Sequence, residues 1–326
     1  MMQNDQKHLV GSTFLMAAMA VLLASCSGGG NADTGFSGER AMQHVIKVVE
    51  IGERPTGSEG AEKNRVLMEK ELAAAGWTTQ RQRFGASTPI GRIDMVNLRA
   101  RFSPEGNNRD LWNQQRKIIV GCHYDTKLYT QFKFVGANDG GSGCGLLMEL
   151  AGVLASRYPA IASQVELVFF DGEEAIEENI SYRSDLPLDQ QTGQDGLYGS
   201  HYYARQLRVV PRPQWSEAVM IVDMIGDKNL NIRVPVNCDP QLTDQVIAAA
   251  KDVGHADVIG RGSSSVLDDH VPFRVIGLPV VNLIDFDFEP WHTAGDTLET
   301  VSAESLQATG DIVVQFLENF LLRESE

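Results

Sequence analysis

Apolar residues recur along this chain with two different periods. Short runs dense in branched and aromatic side chains, at 117–121, 167–170, 218–223 and 278–284, read as buried strands. Stretches at 40–51, 59–76, 144–156, 197–207, 242–253 and 303–322 read as helices. Two further strands are expected at 78–84 and 93–102, with a polar loop over 103–115. The turn Arg54-Pro55-Thr56-Gly57-Ser58 separates the first two helices, with Ser58 placed to cap the second. Residues 176–196 are polar and without period, which predicts a surface loop near a site mouth. Strands alternate with helices throughout, and there is no internal repeat. The expected fold class is therefore α/β, a single three-layer domain with a mixed, mostly parallel central sheet flanked by helices.

Composition narrows the partners. With 326 residues and 43% hydrophobic content the chain can bury a sizeable core. Its formal charge of −15, with no basic run, excludes nucleic acid as a partner. At the N-terminus, Lys7 and His8 precede the short apolar segment Leu9 to Ala24, the pattern of a secretory signal rather than a membrane span. Leu23-Ala24-Ser25-Cys26 resembles the lipobox of bacterial lipoproteins, whose cysteine is acylated. The expected organisation is a lipoprotein signal peptide over 1–25, a flexible tether over 26–38 and a catalytic domain over 39–326. It implies an exported protein held to a membrane through Cys26, facing the periplasm or the cell surface. Cys122, Cys144 and Cys238 remain, and no Cys-x-x-Cys spacing supports a thiolate zinc site.

The chemistry gathers where the buried strands end. Leu167-Val168-Phe169-Phe170 runs into Asp171-Gly172-Glu173-Glu174, and neighbouring side chains leaving a strand point different ways. One carboxylate can then bind a cation while the other faces a reacting group. The strand at 117–121 delivers His123, Asp125 and Lys127. Gly136 to Gly143 precedes a helix, but without Gly-Lys-Ser/Thr or dinucleotide-fingerprint spacing a phosphate loop is excluded. That leaves Asp139 as a helix cap or a metal ligand. Asp223 lies within an apolar run, where an unpaired carboxylate is costly and needs a partner. Beyond 278–284 come Trp291-His292-Thr293. Imidazoles and carboxylates without thiolate suit zinc held by three protein groups, with a position open for substrate.

The motifs Gly121-Cys122-His123-Tyr124-Asp125, Gly136 to Gly143, Phe170 to Ala175, Leu197-Tyr198-Gly199-Ser200, Asp223-Met224-Ile225-Gly226, Asp268-Asp269-His270-Val271-Pro272-Phe273 and Trp291-His292-Thr293 resemble, in that order, those of the M28 zinc exopeptidases. That family includes aminopeptidases and animal-type glutaminyl cyclases. Lys127 after Asp125, the doubled acid Asp268-Asp269 and Trp291 before His292 are similar to the cyclase branch. The resemblance implies one zinc ion on Asp139, Glu174 and His292, with Glu173 as acid/base and Asp223 and Asp268 in a network beside it. It also implies a Cys122–Cys144 disulfide, and conversion of N-terminal glutamine of peptides to pyroglutamate with release of ammonia. Trp291 and Lys127 are expected at the substrate pocket. The segment after Glu174 departs from animal cyclases in length and lacks their pocket tryptophan, Asn179 falling near that place. Two alternatives stand beside this reading. In an aminopeptidase Glu173 would deprotonate a zinc-bound water, with a second zinc on His123 and Asp223 bridged by Asp139. Lys127 near His123 and Asp223 would repel such a second ion. A non-catalytic binding lipoprotein would have lost ligands or base, which are all present here.

Overall fold

A computed structural model describes Met1 and residues 33–322, apart from 105, 107–109, 192 and 212–214. The expected signal peptide, the lipobox cysteine Cys26 and tether residues 26–32 lie outside the described residues. Among the described residues no helix is long and apolar enough to cross a membrane.

The central sheet is built from β1 (Trp77–Thr88), β2 (Gly91–Phe102), β3 (Ile118–His123), β4 (Val165–Phe170), β5 (Ala218–Asp223) and β8 (Val280–Ile284) in the order β1-β2-β4-β3-β5-β8. β4, β3, β5 and β8 run parallel, while β1 and β2 form an antiparallel hairpin added to β4. A separate parallel ribbon pairs β6 (Ile232–Val234) with β7 (Ile259–Arg261). The helices are α1 (Gly38–Ile51), α2 (Glu59–Ala74), α3 (Gly141–Arg157), α4 (Pro159–Ala162), α5 (Tyr198–Leu207), α6 (Pro240–Asp252), α7 (His270–Val275) and α8 (Ala303–Leu322).

Alternation of side chains along the strands makes this a three-layer structure. Ile118, Val120, Leu167, Phe169, Met220, Val222, Val281 and Leu283 face a core shared with α1, α2, α3, α6 and α8. Ile119, Val168, Phe170, Val219, Ile221 and Val280 face the other way, against Tyr203 and Ala204 of α5 and Val271 and Phe273 of α7. β3, β4 and β5 are buried along their whole length, as continuous apolar runs require. Glu166 is the one charged residue of β4, and Arg99 Nε (2.5 Å), Arg101 Nε (2.6 Å) and Tyr203 Oη (2.8 Å) all donate to it.

The tether expectation fails at its C-terminal end. Thr34 and Phe36 are buried, and the Phe36 ring lies so close over Gly310 of α8 that a β-carbon there would come within 2.2 Å of it. Gln307 ties the segment down, donating to Phe36 O at 3.0 Å and accepting from Gly38 N at 2.8 Å. The folded body thus includes residues 33–38.

Candidate active site

Because β3, β4, β5 and β8 are parallel, their C-terminal ends lie along one edge of the sheet, where open α/β folds place their ligands. Register aligns Gly121 with Ile221, which brings His123 and Asp223 level two residues later. His123 Nε2 stands 3.2 Å from Asp223 Oδ1 and 3.1 Å from Asp139 Oδ1. Asp139 arrives from the turn ahead of α3. Gly140 in that turn has φ +76, and a β-carbon on it would meet Asp125 O at 2.9 Å and the His123 ring at 3.0 Å.

Asp139 and Glu174 share His292, whose Nε2 lies 3.5 Å from Asp139 Oδ2 and 3.3 Å from Glu174 Oε2. His292 and Met224, the residue after Asp223, both adopt left-handed backbone conformations uncommon outside glycine. Such conformations persist where surrounding structure over-determines them, as at binding sites. Among the described residues two triads have donor atoms mutually within 4.8 Å, namely Asp139, Glu174 and His292, and His123, Asp139 and Asp223. In the first triad Asp139 Oδ2 and Glu174 Oε1 are buried without a hydrogen-bond donor. Buried carboxylate oxygens left this way are costly, and a cation between them removes the cost. The residues present therefore fit a zinc ion, by donor chemistry and by these orphaned atoms.

Glu173 is buried and lines the cavity at this edge. Burial, with the charges of Glu174, Asp268 and Asp269 behind it, holds its carboxyl well above the ordinary range. Burial likewise pushes Asp268 up to about 7, reinforced by Asp223. Asp268 is fixed by Asn282 Nδ2 at 2.6 Å and by the backbone N–H of Asp269. Burial opposes charge on His123, but Asp223, Asp125 and Asp139 outweigh it and hold the imidazole well above its usual value. Glu173, Asp268 and the Asp139, Glu174 and His292 triad open onto a cavity of about 870 Å³, lined also by Glu178, Asn179 and Ile180 of the long loop and by Phe286 and Trp291. Trp291 is 39% exposed, so it is a cavity wall and not a core aromatic. Its ring stacks on His292 with centroids 4.1 Å apart and leans on Phe286 at 4.9 Å.

Two expectations need correction. Lys127 is not beside His123 and Asp223. Its ammonium donates to Ala175 O at 2.8 Å and Glu177 O at 2.9 Å, 3.9 Å from Glu174 Oε2, because the chain after Glu174 folds back over it. Its charge acts on His292 and on Asp139, which both triads share, so it does not single out the site at His123 and Asp223. Cys122 and Cys144 are adjacent and buried, but both are free thiols here, as is Cys238, so the implied bridge is not formed.

Three residues have supporting roles that the sequence did not assign them. Asp125 accepts the N–H groups of Glu173 and Glu174. Asp296 accepts those of Asn138 at 2.8 Å and Asp139 at 3.0 Å, clamping the ligand turn. Arg54, wholly buried, donates to Tyr124 O, Gly52 O, Val135 O and Gly136 O and so ties the β3 end to the same turn. The sequence signal was faint: acids a few residues from other acids, and an arginine that read as turn punctuation.

A carboxylate and imidazole centre at the C-terminal edge of a mixed α/β sheet defines a metal-dependent enzyme of the exopeptidase type. The pattern of peptidase family M28 matches residues 99–317, and the chain belongs to that family. A glutaminyl-peptide cyclotransferase-like protein of Bos taurus is 29% identical over 296 residues, covering 82% of this chain and 72% of that protein. The crystal structure of Acidobacteriales bacterium glutaminyl cyclase is similar with TM-score 0.73 at 32% identity, covering 88% of this chain and 96% of that one. That of Porphyromonas gingivalis glutaminyl cyclase gives TM-score 0.75 at 25% identity, covering 89% and 100%.

Proposed function

We propose that this protein is a zinc-dependent glutaminyl-peptide cyclotransferase that closes N-terminal glutamine of peptides to pyroglutamate and releases ammonia. The observation that carries the reading is Glu173, a buried carboxyl of raised pKa opening onto the cavity beside the Asp139, Glu174 and His292 triad. Asp139, Glu174 and His292 would hold the zinc ion, which would supply Lewis-acid polarisation of the substrate's side-chain amide carbonyl. Glu173 takes the proton from the attacking α-amine and returns it to the departing ammonia, so one buried carboxyl serves both steps. The charge of Asp268 favours the protonated form of Glu173, and Asp223 acts in the same sense on Asp268. Trp291 gives the flat ring an apolar wall.

One ion is the stoichiometry that fits best. Asp139 Oδ1 and Asp223 Oδ1 already face His123 Nε2 at hydrogen-bonding distance, whereas Glu174 Oε1, which belongs to the other triad alone, is buried without a partner. Metal analysis of zinc-reconstituted protein, run beside ammonia release from a glutaminyl peptide, tests both statements. One zinc per chain with ammonia release supports them. Two ions per chain with no ammonia favours the aminopeptidase, whose second site would be His123, Asp139 and Asp223.

The lipid anchor belongs to the same proposal, supported by the lipobox-like Leu23-Ala24-Ser25-Cys26. Cys26→Ser is expected to move the exported protein from the membrane to the soluble fraction, and unchanged partitioning contradicts the anchor.

A further inference from the structure

The β6–β7 ribbon borders the active-site cavity and carries two arginines, Arg233 and Arg261. Parallel pairing sets Arg233 opposite Gly260 and Val234 opposite Arg261. Paired residues share a face and successive residues alternate, so the two arginines leave opposite faces of the ribbon. Ile232, Val234 and Ile259 turn one face into the core, and Arg261, at the end of that face, reaches α6. There it donates to Asp244 and to Pro240 O. Arg233 leaves the other face. Its guanidinium lies over Gly260, where a β-carbon would come within 2.6 Å of Nη1. The glycine is what lets the side chain lie along the ribbon.

Arg233 is exposed, and its Nη1 donates to Ile232 O at 3.4 Å. Among the described residues no carboxylate forms an ion pair with it. The cavity's other cations are engaged, Lys127 by two carbonyls and Glu174, and Arg261 by Asp244. The same cavity is lined by Glu178 and Asp287, in a chain of formal charge −15. Without Arg233 that surface discriminates against anionic substrates.

We propose that Arg233 recognises an acidic side chain among the residues that follow the N-terminal glutamine, making acid-flanked glutaminyl peptides the preferred substrate class. The proposal rests on the cyclase reading and adds its specificity. Arg233 and the metal triad line one cavity, so a peptide with its first residue at the triad presents its following residues to this wall. An extended chain advances roughly 3.3–3.6 Å per residue, so a scan of nearby positions locates the contact. The planar fork of arginine suits a carboxylate.

The test compares peptides with glutamate or glutamine at positions two, three and four, using zinc-loaded wild type, Arg233→Ala, Arg233→Lys and Arg261→Ala. The readouts are the acidic-to-neutral ratio of kcat/KM, and the Kd ratio of the matching pyroglutamyl peptides, which needs no turnover. For one position the wild type is expected to favour glutamate by about three- to tenfold, the range of a partly exposed charge-assisted pair. The preference should lie in KM and shrink as salt rises. Arg233→Ala should bring the ratio to one or below, Arg233→Lys should keep part of it, and Arg261→Ala should leave it in place. A wild-type ratio of one or less at every position, or a preference that survives Arg233→Ala, overturns the proposal. The cyclase reading fails separately, if the product has lost its first residue in place of ammonia; the acidic ratio is then read on that product and on Kd.

Discussion

Asp125 holds Glu173 through a backbone hydrogen bond of 3.1 Å to one carboxylate oxygen, while its other oxygen takes the N–H of Glu174 at 3.3 Å. One buried carboxylate therefore sets the direction in which both glutamates leave β4. Asp125→Asn keeps the shape but turns one acceptor into an amide nitrogen that cannot accept. Such supporting partners of metal ligands are worth about 10- to 100-fold in affinity. Zinc affinity is expected to fall by that much, measured by chelator competition, and unchanged affinity contradicts the role assigned to Asp125.

The adjacent glutamates should separate in kind. Glu173→Gln removes basicity and keeps shape, so it should retain zinc and lose turnover by about 10²- to 10⁴-fold. Glu174→Gln replaces an anionic ligand with a weakly coordinating amide, so zinc content itself should drop. Metal analysis of both purified variants decides; loss of zinc from Glu173→Gln reverses the assignment.

Much of this was legible beforehand for a physical reason. Buried strands such as 167–170 are written as continuous apolar runs, and their polar ends mark the edge where ligands gather. Ser37 and Ser58 cap α1 and α2 by accepting from Arg40 N and Ala61 N, as short-range rules anticipate for Ser58. What was hidden depends on contacts distant in sequence. Asp296 meets Asn138 and Asp139 only once the sheet is assembled, Phe36 is buried only because α8 offers Gly310, and Lys127 turns toward Glu174 because the chain beyond Ala175 folds over it. The short β6 and β7 carry too few residues for a period to show.

Glu166 makes a stability prediction. Burial pushes its carboxyl up, but Arg99 and Arg101 overcome this and bring it down to about 2. The folded value lies below the unfolded one, so the contribution is present above the unfolded pKa and is lost as pH falls from about 4.5 towards about 2. Glu166→Gln leaves two arginines facing a neutral amide, which costs about 3–5 kcal/mol for a broken buried pair. Denaturant unfolding at neutral pH should show that loss, and the difference from wild type should narrow in acid. A difference that stays constant with pH contradicts the account.

The central claim is that Glu173 and the neighbouring triad cyclise glutamine and do not hydrolyse a peptide bond. Zinc-loaded protein is incubated with two peptides that differ only in beginning with glutamine or leucine, and the products are weighed. The account predicts that the glutaminyl peptide loses one ammonia and keeps every residue, while the leucyl peptide is unchanged. Loss of the first residue from either peptide, with no loss of ammonia from the glutaminyl one, would contradict it.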